Sequence, residues 1–243
     1  MTTLKSSGPA YAPTHLIIDL DAIANNYKIL DVSSVQTPCA AVVKSDAYGL
    51  GMEMVSSVLA TNGCRTFFVS LLDEGLTLRR ILPEAEIFIL NGLIGSEAEV
   101  YHEYRLTPVL NDISQIEIWS GSQISDTPQP AALHFDTGMA RLGLTPVETQ
   151  SLIENQLKLL RFPITSIISH LACADDPSHP LNKKQLEQFE LIAKNFPFVR
   201  ASLAASSGIF LGPKWHFDLV RPGASLYGVA PTANTPNPMC QVV

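Results

Sequence analysis

What the 243-residue sequence lacks narrows its class before any motif is read. It carries only four cysteines, Cys39, Cys64, Cys173 and Cys240, with no Cys-x-x-Cys, so neither a disulfide scaffold nor a zinc ribbon is expected. Buried, reduced thiols in a cytoplasmic protein are the expectation instead. Basic residues number 16 against 23 acidic ones, a net charge of −7 that leaves no electrostatic footprint for a reader of nucleic acid. No apolar run approaches the length of a membrane span, and the first residues show no signal-peptide pattern, so export and membrane insertion are not expected. Gly-x-Gly-x-x-Gly follows no apolar run and Gly-x-Ser-x-Gly is absent, which counts against a dinucleotide fold and a nucleophile-elbow hydrolase.

What is present is a globular composition. Hydrophobic residues make up 46% of the chain and the mean hydropathy is +0.17, too apolar for disorder or low complexity. A chain of this length accommodates one large domain or two small ones.

Two periods alternate along it. Short apolar runs of strand length are separated by segments with helical spacing, the pattern of parallel strands buried on both faces. The strand candidates are Cys39–Lys44, Thr66–Ser70, Glu86–Leu90, Thr107–Leu110, Ala131–Phe135, Ser166–His170, Ala201–Ala205 and Leu219–Tyr227. Helical spacing occupies Met52–Ala60, Asp73–Ile81, Ser96–Tyr104, Val147–Leu159 and Lys183–Asn195, with Thr145-Pro146 and Asn182 as expected N-terminal caps. Eight β-then-α units predict a closed (β/α)8 barrel of the TIM type. An additional strand and helix, His15–Asp19 and Ala22–Leu30, are expected to plug the barrel. Residues 1–13 read as a flexible polar tail, 14–230 as the barrel, and 231–243 as a proline-rich linker running into the start of a further strand.

Polar residues at the carboxyl ends of barrel strands form the site in this architecture. Lys44 ends the run Ala40-Ala-Val-Val43; it reads either as a lysine reaching for solvent or as a desolvated amine fit for covalent chemistry. Asp136-Thr-Gly-Met-Ala-Arg141 leaves the fifth strand through a tight turn that can aim Arg141 over the barrel mouth. His170 tops the sixth strand. The gathering of His170, Cys173, Asp175, Asp176 and His179 matches no zinc spacing, and Asp-Asp-Pro is ordinary turn chemistry. Ser206-Ser-Gly208 ends strand seven and Arg221-Pro-Gly223-Ala224 lies in the eighth strand region, and the loops after these two strands are where such barrels hold phosphate. A lysine, arginines and a phosphate cradle together point to pyridoxal 5′-phosphate (PLP).

Four ordered motifs carry a resemblance across the chain from about residue 14: Ala41-Val-Val-Lys44-Ser-Asp-Ala-Tyr48-Gly-Leu-Gly51, Asp136-Thr-Gly-Met-Ala-Arg141-Leu-Gly143, Ser169-His170-Leu-Ala172, and Asp218-Leu-Val-Arg221-Pro-Gly-Ala-Ser-Leu-Tyr227-Gly228. The sequence resembles the alanine racemase family of PLP enzymes. The resemblance implies interconversion of L- and D-alanine, the supply of D-alanine for the cell wall, with Lys44 holding PLP covalently and exchanging the α-proton. It implies that Tyr48, Ser206, Gly223, Ala224 and Tyr227 contact the cofactor, that Arg221 faces the pyridine nitrogen, that His170 lies beside the ring, and that Arg141 reaches the phenolic oxygen. Lys44, Arg141, His170 and Arg221 are then the catalytic group. An arginine yields no proton, so the ring stays a weaker electron sink and reprotonation is prompt.

Three departures are visible. His134 stands where the family often has a lysine that becomes carbamylated and supports the arginine. Ser45 and Leu50 replace the usual Ala and His. The family's C-terminal β-domain, whose tyrosine serves the neighbouring subunit as second base, has no counterpart, so a truncated, weakly active or inactive chain with a weakened homodimer is expected. A single-barrel PLP carrier of similar length is the alternative; the linker and the Arg141 and Arg221 motifs argue against it.

Overall fold

The computed structural model describes residues 3–5, 15–123, 127–156 and 160–243. Two short strands, β1 (Thr3–Lys5) and β2 (Ile17–Asp19), pair antiparallel at the start. Thr3–Lys5 are thus paired, while the rest of the expected tail lies outside the described residues. Helix α1 (Leu20–Ser33) begins where the Asp19 carboxylate accepts the Ala22 amide at 3.0 Å, an N-cap.

Seven strands then form one parallel sheet in chain order: β3 (Ala41–Val42), β4 (Thr66–Val69), β5 (Glu86–Ile89), β6 (Thr107–Leu110), β7 (Ala131–His134), β8 (Ile164–Ile168) and β9 (Arg200–Ser202). Between them lie α2 (Lys44–Gly49), α3 (Met52–Thr61), α4 (Leu72–Ile81), α5 (Ala98–Glu103), α6 (Ile113–Gly121), α7 (Pro146–Ser151) and α8 (Pro180–Ala193), and α9 (Ser206–Ile209) follows β9. Strand-helix alternation of this kind curls a right-twisted sheet toward closure.

The eighth strand is a correction to the sequence reading. Leu219–Tyr227 is not a strand: Val220 bridges Cys39, Arg221 bridges Ala205, and Ala224–Tyr227 is a 3-10 turn. Pro222 has no N–H for a ladder, which ends regular pairing there. The segment still joins the two sheet edges. Ala40 and Val42 donate to the carbonyls of Val220 and Pro222 at 2.9 Å, and on the other side Asp218 and Arg221 donate to Ala201 and Ala204 at 2.9 Å. The (β/α)8 architecture therefore stands, with its eighth position filled by single bridges.

Two cores flank the sheet. Alternate residues point inward, and Ala40, Val42, Phe68, Phe88, Val109, Ala132, Ile168 and Leu219 fill the barrel interior. Phe68 and Phe88, directly opposite in register, stack with centroids 4.7 Å apart. The larger core lies between sheet and helices. At the amino ends of the strands, Arg200 pairs with Glu86 at 2.7 Å and donates to Ser166 Oγ at 3.0 Å. This network closes the barrel floor. Helix α1 does not plug it as expected; its buried stripe of Leu20, Ile23, Tyr27 and Leu30 packs on the outer wall beside α3, α9 and the 3-10 turn.

Smaller corrections follow local chemistry. Helix α8 starts at Pro180, earlier than expected, because His179 Nδ1 rather than Asn182 accepts an amide of its first turn. Thr145 and Glu148 form the expected capping box on α7, which continues as a π turn over Leu152–Gln156; residues 157–159 lie outside the described residues. Met239–Val243 forms no strand. It is held against α1 by Asn26, whose side chain donates to Leu226 and Cys240 carbonyls and accepts the Cys240 amide at 2.6 Å.

Candidate active site at the carboxyl ends of the strands

Each strand ends at one mouth, and each ending residue is aimed there by its following turn. After β3 the Val43 amide still bonds to Phe68 O at 2.9 Å, and Lys44 is the first side chain past the ladder. Ser45 to Tyr48 then run left-handed, with φ of 53° to 58°. Such a turn costs about 1–2 kcal/mol per non-glycine residue. Three contacts hold it: the Ala47 amide donates to Val43 O at 2.9 Å, the Met52 amide to Asp46 Oδ1 at 2.7 Å, and the Ser45 amide to Glu74. The turn throws Tyr48 back across the mouth, where its ring lies 4.7 Å from that of Tyr227.

After β7, a parallel bridge between Phe135 and Leu144 pinches the loop shut at its base. Inside it Asp136 Oδ1 collects the amides of Gly138 and Met139 at 2.9 Å and Ala140 at 3.1 Å. That nest presents Arg141 outward at the rim, with no hydrogen bond or ion pair to any described residue. Gly143 is required at the closure: its φ is +106° and a Cβ would come within 2.9 Å of the Asp136 amide nitrogen.

After β8, Gln185 from α8 fixes the exit. Its amide donates to His170 O at 2.9 Å and to Thr137 Oγ1 at 3.2 Å, and its carbonyl accepts the Ala172 amide at 2.9 Å. Thr137 in turn meets Ser169 Oγ at 2.8 Å.

Arg221, 4% exposed, lies beneath these loops. Its guanidinium donates to Ser202 Oγ and to Ser169 O and sits 6.0 Å from the centre of the Phe68 ring. Among the described residues no carboxylate pairs with it, and desolvation lowers its pKa to about 10. Beside it Ser206 Oγ accepts the amides of Gly223 at 3.0 Å and Ser225 at 3.2 Å. A Cβ on Gly223 would stand 2.5 Å from Tyr48 Oη.

Lys44, Tyr48, Arg141, His170, Ser206, Arg221, Gly223 and Ala224 line one cavity of about 600 Å³. The structure thus brings together eight of the nine residues singled out from sequence. Tyr227 is the exception and a correction: it is 9% exposed, its hydroxyl donates to Val42 O at 2.9 Å, and it braces Tyr48 from behind. Three cations on the walls, Lys44, Arg141 and Arg221, face one carboxylate, Asp175. An anionic ligand suits that balance. Burial, then Arg221 and Arg141, lower the pKa of His170 to about 3; burial and Arg221 do the same to His134. Both imidazoles are neutral at physiological pH.

Sequence reading overlooked the supporting residues. Ser70 and Asn91 also line the cavity, and as polar residues closing apolar runs they follow the same strand-end rule as Lys44. Gln185 and Glu74 sit on helices, where nothing distinguishes them from solvated residues. His179 and Asp176, weighed as ligands, instead cap α8 and close a turn through the Ser178 amide at 2.9 Å.

Residues 18–231 match the alanine racemase N-terminal domain family. The chain belongs to that family. It is 50% identical over 232 residues to the alanine racemase of Rhodospirillum rubrum, covering 94% of this chain and 62% of the relative. The biosynthetic alanine racemase of Agrobacterium fabrum is 44% identical over 229 residues, covering 94% of this chain and 58% of the relative. The crystal structure of alanine racemase from Bartonella henselae, with covalently bound pyridoxal phosphate, superposes with a TM-score of 0.88 at 42% identity, over 93% of this chain and 66% of that one. The chain thus spans about three fifths of the length of the curated alanine racemases it matches.

Proposed function

We propose that this chain carries the PLP site and one acid–base group of an alanine racemase, and that alanine is its substrate. One observation carries the reading: Lys44, whose amine makes no ion pair or hydrogen bond among the described residues, shares a cavity with the buried Arg221, which has no carboxylate partner among them either. A cation buried without an anion is costly unless a ligand or its chemistry compensates. The residues fit the cofactor. Lys44 offers a primary amine to its aldehyde; the Ser206 hydroxyl, Tyr48 and the Ala224 amide offer a concave donor set to its phosphate, with Gly223 leaving room beside them; Arg221 faces inward for the pyridine nitrogen; Arg141 at the rim suits the phenolic oxygen.

Bound there, PLP supplies an electron sink that acidifies the α-C–H bond of an amino acid. Lys44 Nζ is the group that takes and returns that proton on its own side. Arg221 holds its proton throughout, because guanidinium does not yield it near neutrality. Neutral His170 packs beside the site without adding charge. On the family resemblance the opposite side is served by a tyrosine of a neighbouring subunit, which makes a dimer the proposed working form. Relatives named alanine racemase support this reading over a PLP carrier.

The test combines trapping and exchange. Borohydride reduction of the chain with PLP, followed by peptide mass analysis, is expected to place the label on Lys44. Deuterium wash-in at the α-carbon of alanine, followed by NMR, is expected for wild type and not for Lys44→Ala. A label on another lysine, or wash-in that survives the substitution, refutes the proposal.

A further inference from the structure

Gln185 is fully buried on the inner stripe of α8, where an aliphatic side chain would fill the space without needing hydrogen bonds. Its orientation is fixed by its partners. The Ala172 amide can only donate and meets Oε1 at 2.9 Å; the His170 carbonyl can only accept and meets Nε2 at 2.9 Å. The second Nε2 proton goes to Thr137 Oγ1 at 3.2 Å, which leaves the Thr137 hydroxyl its own proton for Ser169 Oγ at 2.8 Å. The Ser169 carbonyl in turn receives the Arg221 guanidinium. The chain of bonds therefore starts on a helix and ends at residues that line the cavity.

The loop after β7 also rests on α8 by contact. A Cβ on Gly138 would lie 3.6 Å from Gln185 Cγ and 3.4 Å from Leu181 Cδ1, at the point where Asp136 gathers the loop's amides. Two other helices make the same kind of connection. Gln115 of α6 accepts the Asn111 amide at 2.9 Å after β6, and donates to Asn91 O at 3.1 Å and Leu93 O at 2.9 Å after β5. Glu74 of α4 takes the amides of Ser45 after β3 and of Ser70 and Leu71 after β4. Alternate helices thus join strand exits in pairs: β3 with β4, β5 with β6, and β7 with β8. The third pair carries Arg141 on one exit and His170 on the other.

We propose that Gln185 is a positioning residue that holds the Arg141 loop and the His170 exit as one unit, so that cation and imidazole keep a fixed relation across the cavity. It acts through Thr137 and through the backbone of His170 and Ala172. The inference deepens the proposed function, on which it rests only for what Arg141 and His170 do toward the cofactor. A buried amide suits the task better than a carboxylate. The place needs two donors and one acceptor, and glutamine supplies them without setting an anion beneath the cationic cavity.

Amide hydrogen exchange of the cofactor-free chain tests this, so its outcome is separate from that of the PLP reading. Gln185→Met keeps the length of the side chain and removes all three bonds. Exchange is expected to quicken about tenfold, the loss of one or two neutral hydrogen bonds, at Ala172 and also at Gly138, Met139 and Ala140, which Asp136 holds and Gln185 does not bond. The Asn111 and Ser70 amides, held by Gln115 and Glu74, are expected to keep their wild-type rates, which a general loss of stability would not allow. Thr137→Val cuts the link to the loop alone: Gly138 to Ala140 are expected to quicken while Ala172 stays protected. Loop amides at wild-type rates in either variant, or a rise at Asn111 and Ser70 equal to that in the loop, overturn the proposal. In a second arm with PLP as probe, the affinity losses of Gln185→Met and Arg141→Ala are expected to combine to less than their sum, because the first acts through the second. Additive losses also overturn it. A wild type that binds no PLP refutes the proposed function and leaves the exchange result standing.

Discussion

The carboxylate of Glu74 receives the amide of Ser45, the residue that follows Lys44. Its other oxygen takes the amides of Ser70 at 2.8 Å and Leu71 at 3.1 Å, where α4 begins. One acid on α4 therefore pins the exits of two neighbouring strands, and one of those exits carries the candidate nucleophile. Glu74→Ala frees three amides and leaves the left-handed turn with only its own contacts. Losing charged-group hydrogen bonds of this kind costs about 1.5–3 kcal/mol each in gross terms, less where water replaces the partner. A drop in thermal stability and slower borohydride-trapped labelling of Lys44 are expected in the same variant. Labelling at the wild-type rate would mean that the turn holds itself.

Arg221 sets stability against function. Arg221→Met removes a desolvated cation, whose effective penalty is several kcal/mol, and also removes hydrogen bonds to Ser202 and Ser169 worth about 1–3 kcal/mol each. These contributions largely offset one another, so the cofactor-free variant is expected to melt within a few degrees of wild type. Its affinity for PLP is expected to fall at least about tenfold, or about 1.4 kcal/mol. Calorimetric melting and absorbance titration give the two readings. A large loss of stability with unchanged affinity would make Arg221 a structural residue.

Legibility from sequence followed the range of the physics. Strands β4 to β7 announce themselves through short apolar runs, because a strand buried on both faces has little polar side to show. The eighth strand deceived because Leu219-Val-Arg-Pro-Gly-Ala-Ser-Leu-Tyr227 is apolar enough for a strand, yet Pro222 ends the ladder and Gly223 allows the close approach of Tyr48. The place of helix α1 is hidden for another reason. Its apolar stripe states that it packs, not where, and only the three-dimensional gap beside α3 and α9 decides that. Of the site, Lys44, His170 and Arg221 are visible as polar residues ending apolar runs. Gln185 and Glu74 are not, since the bonds that tie them to the site, to the Ala172 and Ser45 amides, reach across to other strand exits. That Tyr227 stands behind Tyr48, its hydroxyl on Val42 O and its ring against the tyrosine that lines the cavity, needs the ring geometry to be seen.

The neutral histidines predict an acid-side loss of stability. In the unfolded chain each titrates near 6.5, and in the folded chain burial and the arginines lower both to about 3. Between those values the unfolded state binds more protons than the folded one, so stability is whole above about pH 6.5 and is lost as pH falls toward 3. Each histidine contributes up to about 1.4 kcal/mol per pH unit in the middle of that window. Urea denaturation of wild type and His134→Gln at pH 7, 6, 5 and 4 is expected to show the wild type losing ground to the variant only below pH 6.5. Parallel curves would mean that His134 takes up its proton as readily in the folded protein as in the unfolded chain.

The proposed phosphate cradle makes the sharpest steric prediction. Gly223 lies between Val42 and Tyr48, and a Cβ there would come within 2.5 Å of Tyr48 Oη and 3.3 Å of Val42 Cβ. Val42 belongs to the barrel interior and cannot retreat, whereas Tyr48, at 42% exposure, can swing outward. Gly223→Ala is therefore expected to spare the fold and displace the phenol from the place where it would meet a phosphate. Overpacking of this size costs about 1–3 kcal/mol, or roughly tenfold to a hundredfold in an equilibrium. If that cost falls on the phosphate, the variant loses affinity for PLP but not for pyridoxal, which lacks the phosphate. Paired absorbance titrations with the two aldehydes read the ratio directly. A ratio that narrows in Gly223→Ala, and narrows in the same direction in Tyr48→Phe, assigns the cradle to this corner of the cavity; a ratio unchanged in both places the phosphate elsewhere.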